Sequence, residues 1–151
     1  MKQDYQYTVN ANVSAEEAYR KVACVSEWWN QRSTGKTQVL GDTFKVDFGE
    51  TWVEFEVIEA MPNRRMVWRV TDCDLHFVRD RKEWKDTRVV WDLETRNGTT
   101  SVTMTHAGLT PGVECFNACQ AGWNFHLGES LLRLLTEDRG LPDHGRSRPN
   151  A

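Results

Sequence analysis

His106, Cys115, Cys119 and His126 are the residues of this chain whose types and spacing could do chemistry. A histidine changes charge near neutral pH and can serve as acid, base or hydrogen-bond partner. Cys115 and Cys119, in ECFNAC, stand one helical turn apart and could present two thiolates to a metal. A structural site needs four ligands, and His126 lies about 10 Å beyond Cys119 along a helix rising 1.5 Å per residue, so Cys73 or His106 would have to complete the set. Small buried hydrophobes are the expected role of these cysteines, with no metal and no cofactor. No nucleophile elbow, glycine-rich phosphate loop or HExxH is present, and Glu54 and Glu56 fall on the polar face of a strand. Enzyme chemistry would have to centre on His106, so a non-enzymatic protein is expected.

Where His106 points depends on one turn. Asn97-Gly98 favours a two-residue type I′ hairpin, because both central residues take positive φ. That loop sets Leu93 opposite Val102, Trp91 opposite Met104 and Val89 opposite His106, which turns His106 to the apolar face of the hairpin. There it either meets a ligand or is a core histidine satisfied by a backbone carbonyl or a neighbour such as Gln120. With the other inward faces it would line a volume bounded by Trp28, Phe55, Trp68, Trp91, Met104, Phe116, Gln120, Trp123 and Leu127. Such a volume is either a packed core or a pocket for an apolar small molecule. Seven tryptophans favour the pocket, since an indole fills space badly unless its N–H finds a partner.

The elements that must build this volume are legible from periodicity. Residues 5–13 alternate as a strand, and Ser14 with Glu17 makes a capping box for a short helix carrying Ala18, Tyr19 and Val22. A further turn carries Val25, Trp28 and Trp29, and residues 30–38 read as a loop. Period two returns over residues 39–48, 52–59 and 66–71, with a further strand expected around Leu75 and Phe77, then the hairpin. Residues 110–135 form the one long helix, with Thr110 as cap, Pro111 at the first position and a stripe of Val113, Phe116, Trp123, Leu127, Leu131 and Leu134. Gly122 and Gly128 mark close approaches to that helix. Ala118, Ala121, Phe125 and Leu132 make a second stripe on its outer face, suited to a protein partner or a homodimer. The mixed-charge residues 79–86 read as a solvated loop, or as a docking surface anchored by Trp84.

The order is α+β: a curved antiparallel sheet of six to seven strands closed by a C-terminal helix, with one or two short N-terminal helices. One domain over residues 1–143 is expected, with residues 144–151 a disordered tail. A net charge of −3 leaves no basic footprint for nucleic acid. No apolar run approaches bilayer length and no leader precedes the first strand, so a cytoplasmic location with no membrane span is expected.

Five segments in this order, VSAEEAYRKV, IEAMPNRRMVWRV, EWKDTRVVWDL, THAGL and ECFNACQAGW, give the chain a further likeness. It resembles the START-like (SRPBCC) superfamily of helix-grip folds, and within it bacterial proteins named after the activator of the ninety-kilodalton heat-shock chaperone's ATPase. The resemblance implies a sheet and helix enclosing a cavity, and a small hydrophobic ligand as the partner. Its alternatives are a co-chaperone-like interaction domain and an enzyme of the polyketide cyclase or dehydratase type. Fold alone does not choose among them.

Overall fold

A computed structural model describes residues 3–143; the expected tail at 144–151 lies outside the described residues. Strand β1 (Tyr5–Ala11) alternates as its sequence demands and ends two residues short of the expected Val13; Ser14 follows, whose Oγ accepts the Glu17 N–H at 3.0 Å and caps α1 (Ala15–Ala23). A single turn, α2 (Val25–Trp28), follows. The remaining strands are β2 (Thr34–Gly35), β3 (Thr43–Asp47), β4 (Trp52–Met61), β5 (Arg65–Asp74), β6 (Arg88–Arg96) and β7 (Thr99–Ala107). They pair antiparallel in one sheet of order β1-β7-β6-β5-β4-β3-β2. Register shifts at Glu54/Phe55 and Val57/Glu59 in β4 supply bulges, which bend a strand and raise its twist. The sheet thereby curls around the C-terminal helix, the α+β helix-grip architecture.

The β6–β7 hairpin has the expected register, with Val89 opposite His106, Trp91 opposite Met104 and Leu93 opposite Val102. Its turn residues Asn97 and Gly98 have φ of 51° and 81°, the positive pair that a type I′ loop needs.

The C-terminal helix differs from expectation at its start and middle. It begins at Phe116, with α3 (Phe116–Phe125), a π-helical segment (His126–Leu131) and α4 (Leu132–Glu137) in series. Thr110 and Pro111 lie in turns ahead of it. The capping function passes to another element: the Glu83 carboxylate accepts the backbone N–H groups of Glu114 at 2.7 Å and Cys115 at 2.9 Å. A carboxylate at the positive end of a helix does what Thr110 was expected to do. Of the two glycines, Gly128 is a close approach, since an added Cβ would sit 2.4 Å from the Tyr7 hydroxyl, whereas Gly122 faces open space. Residues 75–78 form a loop instead of a strand, with Leu75 buried and Phe77 half exposed.

Candidate functional site

The concave face of the sheet and the inner stripe of the helix meet over an aromatic interior. Strand parity turns Phe55, Trp68, Trp91, Met104 and His106 inward, and helical spacing brings Cys119, Trp123, Leu127 and Leu131 against them. Trp28 and Trp29 enter from the end of α2, where the Trp29 ring packs tilted against Trp123, centroids 4.8 Å apart, and against Phe55 at 5.7 Å. Eight of the ten residues expected to line the volume are therefore buried in one cluster: Trp28, Phe55, Trp68, Trp91, Met104, His106, Trp123 and Leu127. Phe116 and Gln120 are half-buried, at the end of the helix nearest the β5–β6 loop. Two surface grooves, of about 270 and 310 Å³, lie on the convex face around Arg65, Asp92, Glu94 and Ser101, away from this interior.

His106 sits at one end of the interior with no exposed surface. Trp123 Nε1–H donates to its Nδ1 at 3.1 Å, so the ring proton belongs on Nε2, which faces Thr87 Oγ1 at 2.9 Å. The Thr87 hydroxyl in turn donates to the Trp84 carbonyl at 2.6 Å. Burial pulls the imidazole pKa down to about 3, because the desolvated site disfavours the cation. This is a neutral histidine with both nitrogens engaged, and the partner is Thr87 instead of Gln120. Periodicity could have found Thr87: it shares parity with Val89, Trp91 and Leu93, one step ahead of the strand.

Trp84 is not a surface anchor. It is 8% exposed, stacks parallel to Trp123 at 6.0 Å, meets His106 edge-on at 4.5 Å, and donates its indole N–H to Cys115 Sγ at 3.3 Å. The mixed-charge loop that carries it is clasped to the helix from both sides. Glu83 caps residues 114 and 115, and the Glu114 carboxylate accepts the N–H groups of Arg79 at 2.9 Å and Asp80 at 3.1 Å. Cys115 and Cys119 are buried beneath this clasp, and the hydrogen bond that the Cys119 thiol makes to Cys115, together with burial, pushes it well above its ordinary range. A thiol so shifted is a poor thiolate ligand. Among the described residues no group of three or more His, Cys, Asp or Glu side chains is placed to hold a metal ion.

Two donors in the interior have no acceptor. The indole N–H groups of Trp68 and Trp91 are buried without a hydrogen-bond partner, whereas Trp28 donates to the Val22 carbonyl at 3.1 Å and Trp123 to His106. The two rings touch edge to face at 5.3 Å, and both side chains are fully buried. Each unpaired donor costs roughly 1 to 3 kcal/mol of desolvation, so this packing carries a penalty that an acceptor oxygen would relieve.

The profile of the family described as Activator of Hsp90 ATPase homolog 1-like protein matches residues 17–136. A search among curated proteins finds no match. Among solved structures, the solution structure of the Aha1 dimer from Colwellia psychrerythraea superposes with a TM-score of 0.75 at 22% identity, over 91% of this chain and 98% of that one. The crystal structure of DynU16, from the dynemicin biosynthetic locus, gives 0.71 at 20% identity over 94% of this chain, which spans only 50% of DynU16. Protein MLL2253 from Mesorhizobium loti gives 0.66 at 19% identity, over 91% and 100% of the two chains. At these identities the likeness is one of fold.

Proposed function

Because the chain belongs to the Activator of Hsp90 ATPase homolog 1-like family, within the START-like superfamily, we propose that it binds a small, flat, apolar molecule carrying a hydrogen-bond acceptor, between sheet and C-terminal helix, without chemical turnover. The observation that carries this reading is the pair of unpartnered indole donors, Trp68 and Trp91, at the centre of an interior otherwise built from aromatic and aliphatic side chains. Buried polar groups in a core with only a packing role are nearly always satisfied, so two adjacent orphans call for an acceptor that arrives from outside the chain. Entry requires the closed interior to open, and the π-helical segment His126–Leu131 lies over it; such segments interrupt the regular helix ladder and recur at functional sites. His106 supports a binding role over a catalytic one, since a neutral imidazole held by Trp123 and Thr87 has no free nitrogen to exchange a proton with a substrate.

Two probes of one skeleton test the reading, fluorenone and fluorene. Fluorenone is expected to quench tryptophan emission saturably and raise the melting temperature, as any ligand of the native state must. Fluorene, lacking the carbonyl, is expected to bind about 3- to 10-fold more weakly, the worth of one net hydrogen bond. If neither probe quenches or stabilises, the interior is an ordinary core and the proposal fails. Equal binding of both would keep the apolar binding and remove the role of the indoles.

A second reading, an interaction domain, rests on the family's description and on the outer face of the C-terminal helix, where Ala118 and Ala121 of α3 are exposed, with Phe125 of α3 and Leu132 of α4 half-buried. Self-association abolished by Ala121→Arg would place a contact there; association undiminished by that change retires this face.

A further inference from the structure

Among the described residues, strand β1 stands at one edge of the sheet, paired on one side only, with β7. Which of its backbone groups are free follows from the hairpin. A two-residue loop makes Arg96 and Thr99 a bonded pair, and bonded pairs recur at every second residue, so Ser101, Thr103 and Thr105 turn their N–H and C=O groups to β6. Thr100, Val102, Met104 and His106 then turn theirs to β1, opposite Ala11, Val9, Tyr7 and Tyr5. The Tyr5 N–H, which donates to the Leu109 carbonyl just past β7, agrees with this parity. Gln6, Thr8 and Asn10 are left with their backbone donors and acceptors pointing away from the sheet.

Edges of this kind are normally blunted by charge, proline, a bulge or brevity. The opposite edge is: β2 is two residues long. On β1 none of these devices is present. Its seven residues pair with β7 in unbroken register, and from Tyr5 to Val13 the sequence YQYTVNANV holds no charge and no proline. The side chains of its exposed residues are held on the convex face by the next strand, Gln6 to Thr105 at 2.9 Å, Thr8 to Thr103 at 2.9 Å and Asn10 to Ser101 at 2.6 Å. The edge is therefore straight and pre-ordered.

We propose that this edge pairs with β1 of a second copy of the chain, antiparallel about a two-fold axis at Thr8, to give one continuous sheet through two molecules. The occupant is a second copy because the strand is complementary to itself. With Thr8 opposite Thr8, Gln6 meets Asn10 of the second copy and Asn10 meets its Gln6, amide against amide, while on the concave side Tyr7 meets Val9. No like charges are brought together anywhere along the contact. A charged or phosphorylated partner would find no counter-charge on this strand.

The test uses the full chain and its centre of symmetry. Wild-type protein is expected to show a monomer–dimer equilibrium in sedimentation velocity, with amide exchange at Gln6, Thr8 and Asn10 slowing as concentration rises. Thr8→Lys and Thr8→Glu each place like charges across the axis, so each alone is expected to be monomeric, with a melting temperature that no longer rises with concentration. Mixed in equal amounts they are expected to form the one-to-one heterodimer, which only an interface at this residue predicts. A wild-type chain that stays monomeric at the highest soluble concentration overturns the proposal. So does a dimer that survives both Thr8 charges but is lost on Ala121→Arg, which would move the contact to the helix. Protection of the Thr8 amide that is independent of concentration also overturns it, since the chain's own terminal residues would then cover the edge.

Discussion

His106 shows how environment decides what a residue type can do. Its folded pKa of about 3 lies below the roughly 6.5 of an unfolded histidine, so as pH falls the unfolded chain takes up a proton first. The stabilising contribution is complete above about pH 6.5 and is lost, at up to about 1.4 kcal/mol per pH unit, as pH drops toward about 3. Denaturant melts of wild type between about pH 6.5 and 5, above the carboxylate range, are expected to show that slope, and His106→Phe to lack it. The same substitution strands the Trp123 N–H, while the Thr87 hydroxyl keeps its bond to the Trp84 carbonyl, and should cost about 1 to 3 kcal/mol at neutral pH. A flat wild-type profile would mean that the ring is solvated and that the Trp123 contact does not persist in solution. The hairpin made the direction in which His106 points legible in the sequence. Parity also placed Thr87 on the inward face, but that its hydroxyl and the Trp123 N–H close on the two ring nitrogens was not legible, because His106, Thr87 and Trp123 come from separate parts of the chain.

The elements were read well wherever local chemistry governs them, and poorly where a distant group intervenes. Ser14 caps α1 as its sequence requires, since cap and capped amide are three residues apart. The C-terminal helix starts at Phe116 because its first amides are taken by Glu83, more than thirty residues upstream, which no local pattern announces. Glu83→Gln leaves one acceptor oxygen for two amides and is expected to cost about 0.5 to 2 kcal/mol, with faster hydrogen exchange at Glu114 and Cys115. Unaltered stability and exchange would show that the clasp does not hold the helix start. The reciprocal half has a pH signature: the backbone N–H groups of Arg79 and Asp80 hold the Glu114 carboxyl below its ordinary range. That contribution is present above the unfolded glutamate pKa and is lost as pH falls through the lowered folded value.

At the scale of the whole molecule, the two ends of the fold are tied by Lys21. This buried lysine on α1 donates to the Leu134 carbonyl at 2.9 Å and pairs with Glu17 at 3.1 Å and with Asp138, closing the N-terminal helix onto the end of α4. Burial works against the cation, but its two carboxylate partners outweigh that and raise its pKa. Lys21 in turn depresses the Asp138 carboxyl through their hydrogen bond. Lys21→Met is expected to leave the fold intact, since both carboxylates reach solvent, and to return Asp138 to the ordinary carboxylate range in an NMR titration. An Asp138 midpoint unmoved by the substitution would mean that this tie does not exist in solution. No helix among the described residues is long and apolar enough to cross a membrane.

By itself the sequence determined the α+β order, the strand parities, the hairpin register and the aromatic identity of the interior, because each depends on contacts within a turn or on a period of two or 3.6 residues. The family resemblance rested on the same ordered segments, and the match over residues 17–136 bears it out. Only the tertiary structure decided that Trp84 faces inward, that His106 is closed between Thr87 and Trp123, and that Trp68 and Trp91 keep unpaired donors while Trp28 and Trp123 do not. A hydrogen bond across the interior joins groups far apart in the chain and requires a few tenths of an ångström of placement, and that placement comes from packing. Hydrophobic pattern selects which side chains go inside; where their polar atoms end is settled by the curl of the sheet around the helix.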